Sequence, residues 1–250
     1  MYTDAHAHLD YYKDVKSVID KCREKNVLYI VTSGLNPESN RKSLELSQKF
    51  EIVKPALGFY PQYAIINNDE IINKELNFIE EKINNIVAIS EIGLDKNYGS
   101  FEKQKKVFID LIKLGIRYNK TIVVHSRKME KETINIIEET VKKYNHKYRK
   151  VVMHCFMGNM KLVKRILKNN WFLSIPCIIK RSSHFKVLVK NSPIRNLLTE
   201  TDSPFLSPEK GKINYPYNVV LTVKEIANIK GLNEEEVRNN IFMNFSYLFL

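Results

Sequence analysis

Short apolar runs alternate with longer stretches of helical period from one end of this chain to the other. Runs of strand character cover Thr3–Ala7, Val27–Thr32, Ile52–Gly58, Val87–Ile92, Thr121–His125, Val151–Phe156, Phe172–Ile175 and Leu197–Thr201. Between them, apolar positions recur every three or four residues in Asp69–Ile83, Phe101–Tyr118, Lys131–Tyr144 and Lys161–Lys168. In the first of these stretches Ile71, Ile72, Leu76, Ile79 and Ile83 share one helical stripe and are expected to be buried. Val219–Leu250 reads as two further helices that close the outer layer. Eight strands alternating with helices over 250 residues match an α/β fold of the (β/α)8 TIM-barrel type, with extra C-terminal helices. A doubly wound open sheet alternates in the same way, but no strand is followed by a Gly-rich phosphate-binding turn, and the chain has only eight glycines. No linker, low-complexity tract or repeat interrupts the pattern, so residues 1–250 are expected to form one domain.

The polar residues that break the strand pattern sit at the C-terminal ends of the runs, where a barrel gathers its βα loops and its chemistry. His6 and His8 end the first run, and residues two apart on a strand point to the same side, a face that Asp4 shares. Glu91 ends the fourth run, His125 the fifth and His154 the sixth, while Asp202 follows the eighth. Four of the six histidines in the chain lie at these ends. The other two, His146 and His184, flank helices in polar surroundings and are expected to be solvated. Four imidazoles and two carboxylates at one barrel mouth suit one or two divalent ions. Glu91 is the natural bridge, because each carboxylate oxygen can bind a different cation.

Charge and cysteine usage add weaker indications. Lys and Arg number 40 against 28 Asp and Glu, a formal net charge of +12 that favours a polyanionic partner, although a Lys- and Asn-rich base composition produces the same balance unaided. Cys22, Cys155 and Cys177 are odd in number and show no Cys-x-x-Cys spacing, as expected of free thiols in the cytoplasm. No apolar run approaches the ~20 residues that span a bilayer, and the chain opens on a strand rather than a basic-then-apolar leader, so no membrane association is expected. Nothing in the sequence implies a protein partner.

Asp4-Ala5-His6-Ala7-His8-Leu9, Glu91-Ile92-Gly93-Leu94-Asp95, His125-Ser126-Arg127, His154-Cys155-Phe156 and Glu200-Thr201-Asp202-Ser203-Pro204 resemble, in order, the successive signatures of the TatD-family hydrolases. Asn214-Tyr215-Pro216 and Asn244-Phe245 resemble that family's closing pattern. The resemblance implies a metal-dependent deoxyribonuclease on an amidohydrolase-type barrel, with two divalent ions (Mg, Mn or Zn) and DNA, single strands or ends, as substrate. It implies that His6, His8, Glu91 and Asp202 hold one ion, and that Glu91, His125 and His154 hold the other. Asp202 and Glu91 become the catalytic carboxylates that orient or deprotonate the attacking water, and Asp4 becomes a partner that orients a histidine rather than a ligand itself. One departure stands out. Where the family carries Gly-x-His-Pro-His, this chain has Gly58-Phe59-Tyr60-Pro61-Gln62, so Tyr60 and Gln62 offer hydrogen bonds but no positive charge. For the substrate, Arg127 is a candidate phosphate clamp, Phe156 a base-stacking ring, and Lys96 and Lys212 further phosphate contacts. The runner-up expectation is a binuclear amidohydrolase acting on an amide, ester or lactone. A nucleic-acid-binding protein without catalysis is a third reading, which the complete set of six ligands disfavours.

Overall fold

In the computed structural model, which describes residues 1–250, the eight apolar runs form eight parallel strands paired in sequence order. They are β1 (Tyr2–Ala7), β2 (Val27–Ser33), β3 (Val53–Leu57), β4 (Ala88–Gly93), β5 (Thr121–His125), β6 (Val151–Met153), β7 (Phe172–Pro176) and β8 (Leu197–Glu200). The ring closes where Thr199 Oγ1 donates to the Thr3 carbonyl at 2.8 Å and where Ala7 bridges Ser203 in parallel. The helices are α1 (Val15–Glu24), α2 (Pro37–Lys49), α3 (Pro61–Ile66), α4 (Asp69–Glu81) and α5 (Phe101–Arg117). They continue as α6 (Glu130–Tyr144), α7 (Met160–Lys168), α8 (Ser183–Asn191), α9 (Val219–Lys230) and α10 (Glu234–Phe249). The architecture is the expected TIM barrel.

Polar caps set where many helices start. Asp14, Asn68, Asn159 and Asn233 each accept a hydrogen bond from a main-chain N–H in the first turn of α1, α4, α7 and α10. Asn36 and Ser39 form a reciprocal capping box at α2, with Pro37 at its first position. The expected stripe of α4 is corrected at two places. Ile71 is 41% exposed, and Glu75 lies buried in its stead. That carboxylate accepts hydrogen bonds from Asn40 at 2.7 Å and from Arg41 at 2.5 and 2.6 Å, which is what makes its burial tolerable.

Alternation along the strands divides the barrel interior into layers. Val31, Ala88, Val123, Val152 and Leu198 belong to one apolar cluster. Two residues further along each strand stand Ser33, Ser90, His125, His154 and Glu200, so a dry lower layer carries a polar upper one. Phe245, Leu248 and Phe249 of α10 join the lower cluster. Thus α10 plugs the N-terminal end of the barrel rather than thickening its outer layer. Two strands also stop earlier than the apolar runs suggest. β6 ends at Met153 and β8 at Glu200, because Cys155 (φ 42°) and Asp202 (φ 53°) turn into the left-handed region and leave the ladder.

Candidate active site

His6 lies on β1 and His8 just past it, and both are buried. Their Nε2 atoms approach to 3.2 Å. Glu91 reaches the same place through an irregularity in its strand. Ser90 already points inward, its Oγ 2.8 Å from Ser33 Oγ, and the β4–β5 register shifts between Ile89 and Ile92 so that Glu91 enters the barrel as well. Its two oxygens divide between two pairs of histidines. Oε2 is 3.3 Å from His6 Nε2 and 3.5 Å from His8 Nε2. Oε1 is 2.8 Å from His125 Nδ1 and 3.9 Å from His154 Nε2. Asp202 Oδ1 faces the first pair, 3.7 Å from His6 Nε2 and 3.4 Å from His8 Nε2. All six expected ligand residues therefore meet at one point.

The donor set fits divalent metal. His6, His8 and Glu91 bring one ligand atom each within 4.8 Å of one another, as do Glu91, His125 and His154, and also His6, His154 and Asp202. Imidazole nitrogens with carboxylate oxygens suit zinc, manganese and similar ions.

A second set of groups aims these ligands, and most of it has no counterpart in the sequence expectations. Ser33 holds the first pair: its Oγ is 3.1 Å from His6 Nδ1, and its carbonyl accepts from His8 Nδ1 at 3.0 Å. Asp95 Oδ2 sits 3.0 Å from His125 Nε2. Glu200 Oε2 sits 2.8 Å from His154 Nδ1, while its Oε1 accepts from the Cys155 N–H at 3.0 Å. Carboxylates behind metal-binding imidazoles fix the ring and raise its basicity. Asp95 and Glu200 lie inside the sequence motifs quoted above, and their nearness to ligand residues was the available signal. Asp4 does not touch a ring. It accepts from the His6 N–H at 3.2 Å and from the Thr201 N–H at 2.9 Å, so it ties β1 to the segment that carries Asp202.

Electrostatics follow from this enclosure. Burial opposes charge on Glu91, yet hydrogen bonds from His125 and His6 hold its carboxyl well below the usual range. Burial also opposes Asp202, and the hydrogen bond from His8 outweighs it to keep that carboxyl low. Burial alone would lower His154, but the Glu200 carboxylate lifts it to about 10. His125 is raised as well, against burial, by Asp95 and Glu91. His6 goes the other way, lowered by burial and by the neighbouring His154. Burial holds the Asp4 carboxyl well above its ordinary value.

Over five of the six ligands, all but the fully buried His6, opens a cleft of about 800 Å³, lined among others by Tyr60, Gln62 and Arg127. Tyr60 donates to Asp95 at 3.1 Å and lies 3.4 Å from His125 Nε2, so its phenol leans on the back of a ligand. Arg127 is exposed, and no carboxylate lies within 4.0 Å of it. Three expected substrate contacts are corrected. Phe156 is completely buried, its ring packed beside Gly158, and cannot stack on a base. Lys212 is paired with Glu209 at 2.5 Å, outside the cleft. Lys96 is exposed and also lies outside the cleft lining, because its turn carries Tyr98 inward instead. His146 is exposed as expected, whereas His184 is half-buried and contacts the Phe156 carbonyl at 2.9 Å. No helix is long and apolar enough to cross a membrane.

A family model described as TatD related DNase matches residues 3–250. An uncharacterized metal-dependent hydrolase of Methanocaldococcus jannaschii is 36% identical over 246 residues, spanning 97% of this chain and 94% of that protein. The deoxyribonuclease TATDN3 of Homo sapiens is 33% identical over 250 residues, spanning 94% of this chain and 89% of its own. Among solved structures, the TatD homolog YJJV of Escherichia coli K12 superimposes with a TM-score of 0.89 at 22% identity, covering 99% of this chain and 97% of that one, a likeness of fold.

Proposed function

The chain belongs to the TatD related DNase family, and from that premise we propose that this metal-dependent hydrolase cleaves phosphodiester bonds of DNA, trimming strands from an end, with residues 1–250 acting as one catalytic domain. The observation that carries the proposal is Glu91, one buried carboxylate whose oxygens each face a separate pair of histidines. His6, His8, Glu91 and Asp202 would hold one ion, and Glu91, His125 and His154 the second. When bound, two divalent ions supply acidification of water and neutralisation of charge on phosphoryl oxygens.

The remaining work falls to this chain's own side chains. Asp202, held ionised at neutral pH, accepts a proton from the attacking water and orients it. Arg127, free of any carboxylate, grips a non-bridging phosphate oxygen through its planar fork. Tyr60 and Gln62 donate neutral hydrogen bonds to the same group. Cys22, Cys155 and Cys177 are all unpaired, which supports a reducing, cytoplasmic setting.

One observation favours a second reading. The wall formed by Tyr60 and Gln62 carries no cation, which suits an uncharged amide, ester or lactone. The experiment is an end-labelled single-stranded oligonucleotide incubated with the purified chain and Mg²⁺ or Mn²⁺, beside a panel of esters and lactones. Stepwise shortening of the oligonucleotide is expected, and its loss to background in Glu91→Gln and Asp202→Asn variants that retain cooperative melting. An intact oligonucleotide beside a hydrolysed lactone would establish the second reading instead.

A further inference from the structure

The cleft has two unlike walls. On one side Tyr11, in the turn after β1, and Phe205, in the loop after β8, leave 51% and 47% of their surfaces exposed. Their rings meet edge to face, with centroids 5.4 Å apart at 74°. Each also stands edge-on to His8, at 6.1 Å for Tyr11 and 6.0 Å for Phe205. Both are fixed by main-chain turns to residues of the ligand cluster. The Tyr11 N–H reaches the His8 carbonyl at 3.4 Å, and the Phe205 N–H reaches the Asp202 carbonyl at 2.8 Å. Two large aromatic surfaces are thus left open to water beside the metal ligands, in fixed register with them. On the other side Arg127 and Lys128, after β5, enter no ion pair.

Beyond Tyr11 lies a second cavity. That cavity is lined by Asp10, Glu38 and Glu45 together with Arg41 and Lys42, so its charges are mixed. The cations that enter no ion pair, Arg127 and Lys128, attract a phosphate chain along the wall facing the two rings. We propose that Tyr11 and Phe205 form a nucleobase-stacking subsite that holds the terminal base of a single strand beside the scissile phosphate. The L-shaped pair offers one ring face for stacking and one ring edge for lateral contact, a sequence-tolerant mode of capture. The terminal position of that base follows from the end-trimming reading above. This inference rests on the phosphodiesterase reading above and assigns to Tyr11 and Phe205 the part that Phe156, buried in the core, cannot play.

The test compares two single-stranded oligonucleotides with the full Mn²⁺-loaded chain, identical except that one carries an abasic tetrahydrofuran in place of its terminal nucleoside. Removing the base should raise KM roughly tenfold or more in the wild-type chain, the scale of one base–aromatic stack. In Tyr11→Leu and Phe205→Leu the base-bearing oligonucleotide should lose a similar factor, and the penalty for removing its base should shrink to less than twofold. Tyr11→Phe and Phe205→Tyr should restore the penalty. A terminal 2-aminopurine, mixed with the chain in EDTA so that nothing turns over, should be quenched by the wild type and not by the double leucine variant. Equal KM for the two oligonucleotides, or a base penalty that survives both leucine substitutions, overturns the subsite. If neither oligonucleotide is cut while the quench persists and depends on both rings, the nuclease reading falls and the stacking subsite stands. Absence of both cleavage and quench overturns the two together.

Discussion

Gly58 carries no chemistry, yet replacing it with alanine should disable the metal site. It lies one residue past β3, where its backbone abuts the Ser90–Glu91 peptide of β4. A Cβ at this position would stand 2.3 Å from the Ser90 carbonyl carbon and 2.5 Å from the Glu91 nitrogen, against an ordinary contact of 3.4 Å or more. Relief requires the two segments to part by about 1 Å. Gly58 itself is not free to retreat. The Asn40 amide donates to its carbonyl at 2.9 Å and accepts from its N–H at 3.1 Å, and Glu75 holds that amide at 2.7 Å. The displacement therefore falls on Glu91, whose 2.8 Å contact with His125 tolerates little of it. Overpacking of this kind costs about 1–3 kcal/mol. At roughly 2–4 °C per kcal/mol for a chain of this size, the melting temperature should drop by about 2–12 °C. A misplacement of about 1 Å in a catalytic carboxylate should lower turnover by about a hundredfold. Thermal melting of the metal-free chain and calorimetric titration with Mn²⁺ measure the two parts separately. A Gly58→Ala chain that melts within a degree of the parent and binds Mn²⁺ as tightly would refute the coupling from the end of β3 to Glu91.

The charges in the cleft set three further outcomes. His154 is raised from 6.5 to about 10 by Glu200, so this pair contributes stability to the metal-free chain that is complete below pH 6.5 and lost as pH climbs towards 10. Metal needs the neutral ring, so Mn²⁺ affinity should run the opposite way, falling as pH drops below that value with release of protons on binding; calorimetry at pH 8 in two buffers of different ionisation heat counts them, and a count of zero contradicts the assignment. Arg127→Ala should raise KM for a single-stranded oligonucleotide and reduce the magnitude of its log–log salt slope by about 0.7, whereas an unchanged slope means that Arg127 touches no phosphate.

The architecture and the six-residue cluster were legible because both depend on strong, repeated signals. Apolar runs alternate with helical periods, and rare histidines recur at the ends of those runs. What was not legible depends on local departures from period. Alternation predicts that if Ser90 faces the barrel interior, Glu91 faces out; only the register shift in β4 lets both enter. Phe156 looks like a mouth residue because it follows a ligand by two, but β6 ends at Met153 and the left-handed Cys155 sends the next ring back into the core. Phe205 follows a ligand by three and ends up outside, held there by the turn that Asp202 begins. Sequence distance from a ligand therefore says little about which side of the wall an aromatic ring takes. The local turn decides it: the left-handed Cys155 precedes the buried Phe156, and the turn closed from Asp202 precedes the exposed Phe205. Glu75 shows the same limit in the opposite sense, since a carboxylate in a helical stripe reads as solvated until its two partners from α2 are placed.

The two histidine pairs differ in what stands behind them, and that difference organises the site. His6 and His8 lean on Ser33, a neutral hydroxyl and a main-chain carbonyl, whereas His125 and His154 lean on the carboxylates of Asp95 and Glu200. A neutral support orients a ring without adding to its affinity for a proton, and burial is then free to lower His6. A carboxylate support makes the ring a better donor to metal and a better proton acceptor at once. Competition between proton and metal therefore falls on His125 and His154, next to Arg127 and the phenol of Tyr60, and on His8, which Asp202 and Glu91 raise against burial. The same Asp95 that backs His125 also receives the Tyr60 hydroxyl at 3.1 Å, so the residue that replaces a family histidine is wired to a metal ligand through that ligand's carboxylate support. Substituting Tyr60 thus alters a metal ligand's support as well as the wall that meets substrate, and the two effects separate by measuring Mn²⁺ affinity apart from turnover.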